Sequence, residues 1–150
     1  MPDLKGYQSI PLFSKNGYFS IVADNIIENQ QEELYFLLQS GYSGGLIYCN
    51  EFSDGKELDK KLKITGEKTM KNSAGRSVTT KRGILPFLKV GDFILKDVSA
   101  GFFVGELKTQ TVNYFGADLL RRFNWIFDVE RNKVYIKPSK YFNESYYKIK

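Results

Sequence analysis

The stretch from Leu34 to Cys49 constrains the fold more than any other part of the chain. Leu34-Tyr35-Phe36-Leu37-Leu38 is a continuous apolar run, suited to a strand buried on both faces. It passes directly into Gln39-Ser40-Gly41-Tyr42-Ser43-Gly44-Gly45, where the clustered glycines mark a tight loop. Leu46-Ile47-Tyr48-Cys49 then leaves the loop as another apolar strand. A chain that must bury two strands joined by so short a loop is committed to a sheet.

The remaining pattern is also one of strands. Ile10–Phe13 and Tyr18–Ala23 flank Ser14-Lys15-Asn16-Gly17, which predicts a hairpin. Asn29-Gln30-Gln31-Glu32-Glu33 reads as a polar connector, and Asn50–Lys63 as a loop with at most one helical turn. Ile64–Met70 and Ser77–Gly83 form the arms of a second hairpin around Asn72-Ser73-Ala74-Gly75, whose residue types suit a turn. Further short strands follow at Ile84–Val90, Phe93–Val98 and Phe102–Val104. Only Ala117–Phe123 reads clearly as helix, with Asp118 in its first turn and Arg121-Arg122 in its last, as the helix dipole favours. Many short strands and one short helix predict an all-β barrel or sandwich. Residues 139–150 read as a loosely packed tail or the start of a further domain.

Composition closes many functional classes. The 150 residues suit a single domain, 1–150, or a fragment of a longer multidomain protein. A chain of this length buries about two-thirds of its unfolded surface and needs no metal or disulfide to fold. It contains no histidine and one cysteine, Cys49. Ser-His-Asp triads, Cys-His dyads and His-ligated zinc are therefore excluded, and no metal or other cofactor is expected. Cys49 reads as a small buried hydrophobe. Gly41-Tyr42-Ser43-Gly44-Gly45 matches the G-x-S-x-G elbow of serine hydrolases, but a strand follows it and no histidine exists to activate the serine. The net charge of +5 is mild. Lys81-Arg82 and Arg121-Arg122 among many aromatics suggest a basic surface, yet the charges do not cluster, so nucleic acid is not the expected partner. Every apolar run is too short to span a membrane.

Two segments carry a resemblance. Leu34–Leu38 followed by Gln39-Ser40-Gly41-Tyr42-Ser43 resembles the hydrophobic strand and Asp-Thr/Ser-Gly-Ala-Ser/Thr loop of the aspartic peptidases, with Gln39 at the position of the aspartate. Tyr114-Phe115-Gly116-Ala117-Asp118-Leu119-Leu120 resembles that family's hydrophobic-hydrophobic-Gly motif and the short helix after it. Asn124–Pro138 resembles its closing β-hairpin. The resemblance spans roughly residues 7–138 and is closest to single-lobe, retropepsin-like bacterial proteins. It implies a closed retropepsin-like barrel, a flap hairpin tipped by Ser73-Ala74-Gly75, and a substrate-binding surface that includes Tyr42 and Ser43. Met1-Pro2-Asp3-Leu4-Lys5 lacks a signal-peptide core, so the expectation is either a cytoplasmic protein or a fragment of an exported, periplasmic or cell-surface one whose signal is absent from this chain; because such proteins are often exported, the resemblance favours the second.

Chemistry makes Gln39 decisive. Aspartic peptidases use two carboxylates that share one proton, so that one acts as base and the other as acid. A glutamine amide can orient water but cannot take its proton. Gln39, Ser40 and Gly41 are therefore a catalytic-type motif expected to be inactive. None of Asp24, Asp92, Asp97, Asp118 or Asp128 stands in a hydrophobic-Asp-Ser/Thr-Gly context that would supply a displaced carboxylate. Three functions fit these residues. The first is a degenerate domain that binds a peptide or a partner lobe without hydrolysis. The second is one lobe of an active peptidase whose aspartates come from another lobe. The third is a basic β-barrel binding module unrelated to peptidases. The polar ends, residues 1–6 and 139–150, lack the alternating pattern of an interface strand, so the isolated chain is expected to be monomeric.

Overall fold

The structure is a computed structural model that describes residues 4–105 and 110–146. Strand makes up 58% and helix 12%, which fixes the class as all-β. Six strands close into a barrel: β3 (Tyr18–Ile27), β4 (Gln30–Gln39), β9 (Asn113–Gly116), β5 (Leu46–Ile47), β8 (Phe93–Gly105) and β7 (Ser77–Val90), which pairs back onto β3. Two strands flank the barrel, β2 (Phe13–Lys15) on β3 and β6 (Lys63–Lys71) on β7. A separate three-stranded sheet is formed by β1 (Gln8–Pro11), β11 (Lys133–Pro138) and β10 (Phe123–Asp128).

The barrel closes because β7 divides one of its edges between two neighbours. Residues 77–84 of that edge pair with β6, and Phe87, Leu88 and Lys89 pair with β3. The change falls at Pro86, which has no N–H to give a ladder. Opposite it, Asp97 adopts a left-handed φ of 51°. Both strands also exchange their inward faces there: Leu85 and Val98 are buried on one side of the break, Leu88 and Leu95 on the other.

Tight turns set the register of the hairpins. Asn16 and Gly17 both have positive φ, the two-residue hairpin turn that Asn-Gly favours. The strand before it is divided at Leu12: Gln8–Pro11 joins β11, and only Phe13–Lys15 pairs with β3. The expected polar connector at Asn29–Glu33 is instead the start of β4, because Glu28 and Asn29 already complete a turn with φ of 49° and 64°. The Leu34–Leu38 segment is buried on one face rather than both, since Tyr35 is 59% exposed while Phe36 is fully buried.

The single helix expected from sequence becomes three among the described residues. α3 (Ala117–Leu120) is shorter than the Ala117–Phe123 span, because β10 begins at Phe123. The segment read as loop carries α1 (Asn50–Gly55) and α2 (Leu58–Lys61), which bury Phe52 and Leu58, with Leu62 buried just beyond. A salt bridge of 2.7 Å from Lys81 to Asp59 ties α2 to β7.

The core holds a few polar residues, and Asn25 is the most thoroughly bonded to its surroundings within the barrel. Asn25 is fully buried; its amide donates to the Glu32 carbonyl at 3.1 Å, and its oxygen accepts from the Tyr48 hydroxyl at 2.7 Å. Burial drives the Tyr48 phenol far above its ordinary pKa, so it remains a donor. Tyr48→Phe leaves the Asn25 oxygen without this partner. The expected cost is about 1–3 kcal/mol in the denaturant midpoint, and a change below about 0.5 kcal/mol would show that the bond adds nothing to stability.

Candidate functional site

β4 delivers Gln39 beside Gly116. The two strands run parallel, with Phe36, Leu37, Leu38 and Gln39 opposite Asn113, Tyr114, Phe115 and Gly116. β5 packs on the other edge of β9, Leu46 opposite Phe115 and Ile47 opposite Tyr114. The loop Gln39–Gly45 must therefore cross the end of β9. It turns tightly, with the Tyr42 amide donating to the Gln39 carbonyl at 3.2 Å.

The crossing is locked by backbone hydrogen bonds. The amides of Gly116, Ala117 and Asp118 donate to the carbonyls of Gly45, Tyr42 and Gly44 at 2.8, 2.7 and 3.2 Å. A helix leaves its first amides without internal partners. Here the glycine-rich loop supplies them for α3, so loop and helix start form one unit. The glycines are required by closeness. A Cβ on Gly45 would lie 2.4 Å from the Ser99 carbonyl oxygen, and one on Gly116 would lie 2.3 Å from that of Gly44.

Gln39 is half-buried, and its side-chain oxygen accepts from the Gly41 amide at 3.2 Å. Ser40, Gly41 and Ser43 are exposed. Tyr42 lies across the loop, its hydroxyl over Gly44 and its ring edge against Gly116. Its pKa is raised, chiefly by burial; Arg82 opposes the shift and Asp118 reinforces it. The phenol is thus neutral near pH 7 and can donate. Ser40 and Ser43 add hydroxyls, but the loop holds no acid or base that titrates near neutrality.

Ser73, Ala74 and Gly75 lie on a different element, the β6–β7 hairpin. They form its exposed tip, where the Asn72 side chain accepts from the amides of Ala74 and Arg76, both at 3.0 Å. Among the described residues no hydrogen bond or ion pair joins this tip to the Gln39 loop. The base of the hairpin comes closer, since the charge of Arg82 acts on Tyr42.

The most elaborate polar cluster surrounds Arg122. Arg122 is fully buried, and its guanidinium bonds the Asp118 carboxylate at 3.1 Å and the Asp118 carbonyl at 2.8 Å. It also donates to the carbonyls of Tyr141, Glu144 and Ser145, and it stacks on the Tyr146 ring at 3.7 Å. Lys81 is likewise committed, to Asp59 and Glu67. Lys81, Arg121 and Arg122 are therefore not a free basic surface. The same contacts hold residues 139–146 against the domain, so that part of the expected loose tail is fixed; residues 147–150 lie outside the described residues. Spacing of four between Asp118 and Arg122 was the available signal for this pair.

Of the other carboxylates, Asp128 caps the 3-10 turn Val129–Arg131; Arg131, bonded to it at 2.9 Å, lowers its pKa. Cys49 is partly buried against the core, and its amide donates to the Asn113 side chain. No model of a known protein family matches the chain, and neither does any curated protein.

Proposed function

We propose that this chain is a catalytically inert, aspartic-peptidase-like domain that engages an extended peptide, free or offered by a second lobe, without hydrolysing it. The supporting observation is the parallel pairing of β4 with β9, which sets Gln39 beside Gly116 inside an interlocked loop and helix start. A retropepsin-like lobe presents its catalytic loop in this relation to its hydrophobic-hydrophobic-Gly motif. The loop is open on the side of Ser40, Gly41 and Ser43, and its serine hydroxyls suit the polar groups of a peptide backbone. Gln39 removes proton transfer, which is worth about 10²–10⁴-fold in rate.

The test is a peptide-library digest from about pH 3 to about pH 8, the range in which shared-proton carboxylates work. No cleavage is expected. Cleavage blocked by a transition-state-mimicking aspartic peptidase inhibitor would overturn inertness. Binding is tested on an immobilised peptide library, where Ser40→Trp should abolish retention by filling the open side of the loop. Retention unchanged by that substitution would remove the loop as the binding site.

A further inference from the structure

A cavity of about 500 Å³ lies on the outer side of the barrel wall, and none of residues 39–45 lines it. Its volume falls within the roughly 300–1,000 Å³ of small-molecule sites. The floor is a row of cross-strand neighbours, Lys63 on β6, Ile84 on β7 and Ser99 on β8. Arg82 lies two residues from Ile84 and so projects to the same face, while Gly83 and Leu85 between and beyond them turn to the core. The C-terminal residues Ser145 and Tyr146 close one side.

The lining brings two cations to one face. Lys63 and Arg82 make no ion pair among the described residues, whereas their neighbour Lys81, on the opposite face, is bound by two carboxylates. Asp97 is the one carboxylate of the lining. Tyr146 contributes no negative charge, because burial keeps the phenol protonated near pH 7 against the opposing pull of the guanidinium beneath it. The lining thus carries a formal charge of +1, with an apolar floor at Ile84 and a hydroxyl at Ser99.

We propose that this cavity binds a small organic molecule bearing a single carboxylate, paired with Lys63 and Arg82, its apolar body against Ile84. Arg82 offers a planar donor fork that fits a carboxylate, and Lys63 adds a point charge. One negative charge balances the lining. A dianion such as phosphate would place its excess charge against Asp97.

The experiment titrates the full chain with acetate, benzoate and N-acetylphenylalanine, then with N-acetylphenylalanine amide and inorganic phosphate, following backbone amide signals by NMR. At least one carboxylate should shift Lys63, Arg82 and Ser99 saturably, with a Kd of about 1 mM or tighter. The uncharged amide should bind at least about tenfold more weakly than its acid. Lys63→Gln/Arg82→Gln should weaken the best acid by a similar factor. Both residues lie off the core, and the acid-against-amide comparison needs no variant. The proposal fails if no carboxylate saturates by roughly 10 mM, if acid and amide bind alike, or if the double variant binds unchanged. Phosphate binding as tightly as the best acid would also overturn it.

Discussion

Gly116→Ala should cost about 3 kcal/mol or more, while Gly55→Ala should stay within about 0.5 kcal/mol. The contrast follows from what a methyl group meets. At Gly55 nothing lies within 4 Å. At Gly116 the new Cβ would stand 2.3 Å from the Gly44 oxygen, 2.8 Å from the Gly45 oxygen and 2.7 Å from the Tyr42 ring. Tyr42 can rotate, but the carbonyls cannot retreat freely, because they accept the amides of Asp118 and Gly116 that join loop to helix. The methyl therefore strains the backbone and breaks its hydrogen bonds together. The φ of Gly116 is −85°, which any residue adopts, so conformational freedom plays no part. Paired urea denaturation curves decide it. Equal midpoints for the two variants would mean that the crossing is loose.

That result bears on what the sequence disclosed. The clustering of Gly41, Gly44 and Gly45 after an apolar strand identified a tight loop, and Phe115-Gly116 before a helix identified its neighbour. For Gly45 and Gly116 the reason for being glycine lies in contacts with Ser99 and with Gly44, far away in the chain, which no local pattern carries. Strand identity was legible in the same way, from apolar alternation and Asn-Gly turns. Strand length was not. β7 runs unbroken through Gly83, because its ladder with β8 continues there, and β4 begins among polar residues at Gln30, because Glu28 and Asn29 turn without any glycine. The segment of α1 and α2 suggested at most one helical turn because both helices are short and are held by Phe52, Leu58 and Leu62 rather than by propensity. Within the candidate site, Gln39 and its loop were visible as residues out of place in a motif. In the separate outer cavity, the juxtaposition of Lys63 and Arg82 was not legible, because their shared face exists only once β6 and β7 pair.

The C-terminal segment was the least legible part, and it yields the second large prediction: Arg122→Met should destabilise the domain by about 3–5 kcal/mol and free the chain after Ser139 to proteolysis. Residues 140–146 show no strand or helix period, because what holds them is backbone. Three of their carbonyls, on Tyr141, Glu144 and Ser145, converge on one buried guanidinium. That guanidinium also binds the buried Asp118 carboxylate and carries the Tyr146 ring. Methionine fills much of the same volume but donates nothing. Asp118 would then keep Arg121, at 2.8 Å, as its remaining arginine partner, and a half-compensated buried charge is more costly than none. Arg122→Lys should lie between, since one ammonium cannot reach all the acceptors that the fork spans. The double substitution Arg122→Met/Asp118→Leu should recover part of the loss by removing the stranded charge, the sign of coupling expected for groups in direct contact. Denaturation midpoints for the three variants, with protease accessibility of residues 140–146, make the comparison complete. If Arg122→Met alone shifted neither, the cluster would be a passenger of the fold, and the tail would be held by the Ser139 amide bonded to the Arg122 carbonyl and the aromatic contacts of Phe142.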